Sequence, residues 1–177
     1  MHLQKHRLSI GQMIMIKDKK YYLKFLFYII TILVLVFDLV TKALTDGIVF
    51  QDAIKGVFAI ESYHNTGASF SLFEGSKAAQ IIFIILGICV SVGIILYSIF
   101  NKSQNLNWCF FVAASLMIGG IVGNIVDRIA FGYVRDFISL QFMHFAVFNV
   151  ADSALCIGVV FMIVWLIFYA FRENKGK

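Results

Sequence analysis

The sequence predicts an all-α membrane protein, a four-transmembrane-helix bundle, on three observations. Four apolar runs, each close to the ~20 residues a helix needs to cross a bilayer, occupy most of the 177 residues. Hydrophobic residues make up 60% of the chain and charged residues 14%, with a mean hydropathy of +0.87. A soluble domain of this size carries more charge. Finally, the basic residues crowd the ends of the chain, outside the apolar runs.

Residues 1–22 read as a basic cytoplasmic leader containing Lys5, Arg7, Lys17, Lys19 and Lys20. The first span covers 23–44. It is long for a signal-peptide core and carries Asp38 and Lys42 rather than a small-residue cleavage site, so it reads as retained. An extracytoplasmic segment, 45–77, follows. Within it Val57 to Tyr63 has strand-like composition and partial alternation. The second span covers 78–100. A polar turn, Asn101 to Asn107, leads to Trp108, whose amphipathic ring suits the interface. The third span covers 108–126, and Gly119, Gly120 and Gly123 allow close helix packing. The second extracytoplasmic segment, 127–148, is strand-like from Tyr133 to Phe148. The fourth span covers 149–171, and a basic tail, 172–177, closes the chain. Residues 23–171 thus form one membrane domain, and the chain contains no proline to kink its helices.

Charge distribution sets the topology. The cytoplasmic parts hold ten Lys/Arg against Asp18 and Glu173, and the other side holds five against eight acids, out of totals of 15 and 10. By the positive-inside rule both termini are cytoplasmic. The net charge of +5 lacks the basic face that nucleic-acid binding needs. Cys89, Cys109 and Cys156 lie inside spans without CxxC or Cys/His spacing and read as small buried hydrophobes. His64 and His144 have no ligand spacing, so neither metal nor cofactor is expected.

Ionisable groups near a bilayer are costly and face the bundle interior or water. Here they gather at span ends on one side: Asp38 and Lys42, then Asn124, Asp127 and Arg128, then Asp136 in the next loop, then Asn149 and Asp152. Each has a plain structural alternative. Asp38 and Lys42 are spaced for an i,i+4 salt bridge. Arg128 can snorkel. Asn149 can cap a helix, with Asp152 favoured in its first turn. Asp136, between Arg135 and Phe137, has the weakest such reading, although Arg135 could pair with it. Two acids from separate segments at one depth suit acid–base chemistry, since two carboxyls held close share one proton. The charged one then takes a proton from water while the neutral one gives its own to the carbonyl oxygen or leaving amine. No GxSxG element competes. Membrane acids also serve proton relays, so a small proton-coupled transporter is the alternative, and a purely structural role for the helix ends is another.

The residues resemble bacterial lipoprotein signal peptidase (signal peptidase II). DLVTK (Asp38 to Lys42), NTGASF (Asn65 to Phe70), GGIVGNIVDR (Gly119 to Arg128), GYVRDF (Gly132 to Phe137) and FNVAD (Phe148 to Asp152) follow the order of that family's blocks. The resemblance implies a catalytic pair of Asp136 and Asp152. It further implies that Asn65, Gly67, Asn124, Asp127, Arg128, Asn149 and Ala151 line or support the site, with Asp38 and Lys42 behind them. It implies an aspartic endopeptidase in the bacterial cytoplasmic membrane, with its site at the outer face. The substrate would be a diacylglyceryl-modified prolipoprotein, cut just before the lipidated cysteine. Membrane lipids and globomycin-type inhibitors would be its other partners, and no oligomer is required. A small extracytoplasmic β-cradle and a short amphipathic helix complete the implied fold. Three features depart from the pattern: Leu39 stands where the family has Gln, the proline before FNxAD is missing, and the leader is long.

Overall fold

The computed structural model describes residues 10–67, 73, 75–100 and 107–174. The start of the basic leader, most of the polar turn after the second span, the last three residues of NTGASF and the final lysines lie outside the described residues. The elements run α1 (Ile10–Thr45), β1 (Gln51–Ile54), β2 (Phe58–Asn65), α2 (Lys77–Phe100), α3 (Trp108–Phe131), β3 (Val134–Leu140) and α4 (Val150–Asn174). Among the described residues, four helices are long and apolar enough to cross a membrane.

Helix α3 is the hub. Its apolar stretch is 56% buried, against 6%, 11% and 17% in α1, α2 and α4, so the other three expose most of their apolar surface outward. Small residues make this possible. A Cβ on Gly119 would sit 2.9 Å from Val34 of α1, one on Gly123 would sit 2.5 Å from the Asp38 carboxylate, and one on Gly120 would collide with the Ala151 carbonyl of α4. At the end far from the sheet, Cys109, Phe110, Phe111, Ala114 and Trp165 form a buried cluster, with the Phe110 and Trp165 rings 4.9 Å apart. Trp108 is exposed there, and Cys109 is buried. Cys89 and Cys156 are exposed rather than buried as expected, because they fall on the outward faces of α2 and α4.

Helix α3 passes the expected end at Val126 and continues to Phe131. Sequence polarity suggests an earlier stop, but Asp127 is paired, and one Arg128 nitrogen bonded, by other elements, so neither need leave the helix. Its true end is Gly132, whose φ of 78° lets its N–H return to the Arg128 carbonyl, a turn that side chains other than glycine's rarely tolerate. Asn107 caps the other end by accepting from the Phe110 N–H at 3.3 Å.

The strands form one antiparallel sheet of order β1-β2-β3. Strand β2 extends past the expected Tyr63 to Asn65. From the strand-like stretch Tyr133 to Phe148 only β3 is a strand, with an isolated bridge between Ile138 and Phe148 beyond it. Strand β1 has no alternating pattern and went unexpected. No short amphipathic helix occurs among the described residues. The β2–β3 register sets Tyr63 opposite Asp136 and Asn65 opposite Val134. It thereby delivers Asn65 and Asp136 to the head of α4.

Candidate active site

Strand alternation turns Arg135 and Asp136 to opposite sides of β3. Asp136 faces inward, 2% exposed. Its Oδ1 accepts from Asn149 Nδ2 at 2.6 Å and its Oδ2 from Asn65 Nδ2 at 2.9 Å. Asn149 sits just before α4, and its Oδ1 accepts from the Asp152 N–H at 2.9 Å. The Asn149 N–H donates in turn to Asp152 Oδ2 at 3.3 Å. This reciprocal pair is a capping arrangement. It fixes Asp152 in the first turn of α4, where the partial positive charge of the helix start favours a carboxylate. The other Asp152 oxygen accepts from Asn124 Nδ2 at 2.7 Å.

The orientations of three amides follow from donor chemistry. An ammonium and a backbone N–H can only donate, so the amide atom facing them must be oxygen. Lys42 Nζ faces Asn124 Oδ1 at 2.9 Å, the Gly67 N–H faces Asn65 Oδ1 at 2.9 Å, and the Asp152 N–H faces Asn149 Oδ1. Each remaining NH₂ therefore turns toward the two carboxyls, and Asn149 Nδ2 also reaches Asn124 Oδ1 at 3.1 Å.

Behind the amides lies a buried ionic group. Lys42 is fully buried, 2.8 Å from Asp38 and 3.5 Å from Asp127. Asp38 Oδ1 accepts from the Ala151 N–H at 2.8 Å, which ties α1 to the start of α4. Asp127 accepts from Arg135 Nη2 at 2.8 Å, from its Nε at 3.3 Å and from its backbone N–H at 3.0 Å. Two acids and two bases thus balance, as buried charges require. Arg135, considered as a partner for Asp136, pairs with Asp127 instead. The period-two geometry of a strand was the signal that could have shown this. Arg128 is held over the Phe83 ring at 5.2 Å and donates to the Gly67 carbonyl at 3.3 Å.

Asp136, Asp152, Asn65, Asn124 and Arg128 line one cavity of ≈ 340 Å³. The rest of its wall is apolar and includes Leu86, Val90, Ile121 and Leu155. Burial first, and the charge of Asp152 second, push the Asp136 carboxyl up to about 7. The hydrogen bonds from Asn65 and Asn149 and the charge of Lys42 oppose that rise. Of the expected residues, Asn65, Asn124, Arg128, Asp136 and Asp152 line this cavity, Gly67, Asn149 and Lys42 hydrogen-bond directly to residues that line it, and Asp38, Asp127 and Ala151 stand behind them, the two acids paired with Lys42 and Ala151 donating to Asp38.

Four apolar helices enclosing an acid–amide cluster at one end define a polytopic membrane enzyme, and solved structures agree. A bacterial membrane enzyme determined by the in meso method at 2.3 Å superposes with a TM-score of 0.72 at 32% identity, covering 85% of this chain and 90% of that one. Another, at 1.9 Å, gives 0.70 at 31% identity, covering 79% and 91%. The family model described as signal peptidase (SPase) II, Peptidase_A8, matches residues 30–168. The lipoprotein signal peptidase of Enterococcus faecalis is 37% identical over 127 residues, 72% of this chain and 76% of that protein. That of Pseudoalteromonas translucida is 35% identical over 153 residues, 84% and 89%. The chain belongs to the signal peptidase II family, and it is a protease by that membership.

Proposed function

We propose that this chain removes the signal peptide from diacylglyceryl-modified prolipoproteins, cleaving just before the lipidated cysteine with Asp136 and Asp152 activating water. The observation that carries the reading is that both carboxyls, supplied by β3 and α4, open on one cavity and share Asn149 as donor. With Asp136 titrating near 7, its carboxyl keeps a proton to give up to about neutral pH, as an acid–base pair requires. The ionised carboxylate accepts a proton from water as the oxygen attacks the scissile carbonyl carbon. The neutral carboxyl gives its proton to the carbonyl oxygen, forming a tetrahedral diol. On collapse the C–N bond breaks, the amine of the cysteine takes the proton the first carboxylate gained, and a diol hydroxyl returns one to its partner. The fixed amides orient both acids and need no reorganisation during the reaction.

The apolar remainder of the cavity suits acyl chains, and among the described residues its lining adds no further polar side chain of the kind a transporter path needs. The basic residues at both ends of the chain support cytoplasmic termini and, with them, an acid end at the outer face, where an acylated cysteine would be anchored. Globomycin-type inhibitors would occupy the same cavity. The test is a gel-shift assay with purified protein and a diacylglyceryl-modified precursor, with unmodified precursor as control. Asp136→Asn and Asp152→Asn are each expected to abolish cleavage while the protein stays folded. Retained cleavage by both single variants rejects the assignment.

A further inference from the structure

Asp136 has no covalent route to a fixed position other than its strand, and β3 is an edge strand at its start. The Arg135 N–H points away from β2, on the side where no strand among the described residues lies to accept it. Asp127 on the last turns of α3 takes that N–H at 3.0 Å and the guanidinium of the same residue in a two-pronged contact at 2.8 and 3.3 Å. Asp127 is completely buried and Arg135 is 11% exposed. The Arg135 guanidinium also lies 4.5 Å over the Phe131 ring. The chain between the two partners turns at Gly132, so α3, the turn and β3 close into a clasp. Bidentate guanidinium–carboxylate pairs fix orientation as well as distance. The charges nearest Asp136 are Asp152 of α4 and Lys42 of α1, with Arg128 of α3 across the cavity. Arg135 is not among them and does not line that cavity.

We infer that Arg135 is a positioning residue for Asp136. By clasping Asp127 it sets the height and tilt of β3 and so holds the next side chain between Asn65 and Asn149. This rests on the peptidase reading. Lysine supplies charge without the planar fork and should restore only part of the effect.

The experiment compares wild type, Arg135→Lys, Arg135→Gln and the charge-balanced double variant Asp127→Asn/Arg135→Gln, which removes the charged, two-pronged contact of the clasp without stranding a buried acid. Cleavage of a diacylglyceryl precursor gives kcat and KM. Isotope-edited infrared spectra give the titration of the Asp136 carboxyl, identified by subtracting Asp136→Asn. The glutamine and double variants are expected to lose roughly 10- to 100-fold in kcat, the scale of an ångström-level misplacement, with KM within about threefold. Arg135→Lys is expected to fall between them and wild type. In the double variant the Asp136 titration moves from near 7 toward the ordinary carboxylate range as the side chain meets water. If the double variant folds and keeps both the wild-type kcat and the wild-type Asp136 titration, the inference is overturned. If wild type itself leaves the precursor intact, the peptidase reading fails, and the infrared comparison still decides the clasp.

Discussion

Replacing Asp136 by asparagine should flatten the dependence of folding stability on pH. In the folded chain this carboxyl titrates near 7, against 3.8 ordinarily, a rise of about 3 pH units. At 1.36 kcal/mol per unit that corresponds to about 4 kcal/mol. The folded state binds the proton more tightly than the unfolded state. The stabilisation is therefore complete below the unfolded value of 3.8, declines between about pH 4 and 7, and is gone above it. Wild type is thus expected to lose on the order of 4 kcal/mol from this group between pH 4 and pH 8. Asparagine cannot ionise, so the variant lacks that slope. At low pH the variant is the weaker protein, because its own NH₂ must face one of two amide donors at a cost of about 1–3 kcal/mol. At pH 8 the order reverses, since wild type must hold a buried carboxylate beside Asp152. Thermal unfolding in detergent at pH 4, 6 and 8 measures the difference, with about 2–4 °C expected per kcal/mol for a chain of this length. Parallel curves for the two proteins across that range would refute the argument, because they would mean that Asp136 titrates alike whether folded or unfolded.

Asn65→Ala removes a hydrogen bond that holds the Asp136 titration down, so the transition assigned to Asp136 in the pH–rate profile should move alkaline, and an acid shift would contradict the geometry. Lys42→Met leaves Asp38 without its 2.8 Å partner and lets Asn124 lose its orienting donor. It is expected to cost about 3–5 kcal/mol, the range for breaking a buried ion pair, and to lower activity in whatever protein still folds, both read from unfolding curves and cleavage rates.

The four spans were legible because bilayer thickness dictates element length, and Asp136 stood out because an acid in apolar surroundings needs a reason, whereas its pairing with Asp152 came from the resemblance. What escaped the sequence depended on partners distant in the chain. Asp127 and Arg128 look like the end of a helix, yet α3 carries them on to Gly132 because Arg135, Lys42 and Gly67 bond to them from elsewhere. Asp38 and Lys42 formed the expected i,i+4 pair, but their reach to Ala151 and Asn124 could not be read from spacing. Strand β1 exists through pairing with β2, and its own four residues, all exposed, show no periodic signal. Gly67 was readable only from the resemblance. Its role, a backbone N–H that orients Asn65, involves no side chain at all.

The contact between Asp38 and the Ala151 N–H has a consequence for biosynthesis. It joins the earliest membrane segment to the last one, and Asp152 lies one residue further on. A ribosome-bound chain with three inserted segments has Asp136 but lacks its partner acid, the capping Asn149 and the donor that seats Asp38. On the proposed mechanism, hydrolytic competence would arrive in one step, when the final segment enters the bilayer, and a translation product cut short before that point would be inert rather than an unregulated protease.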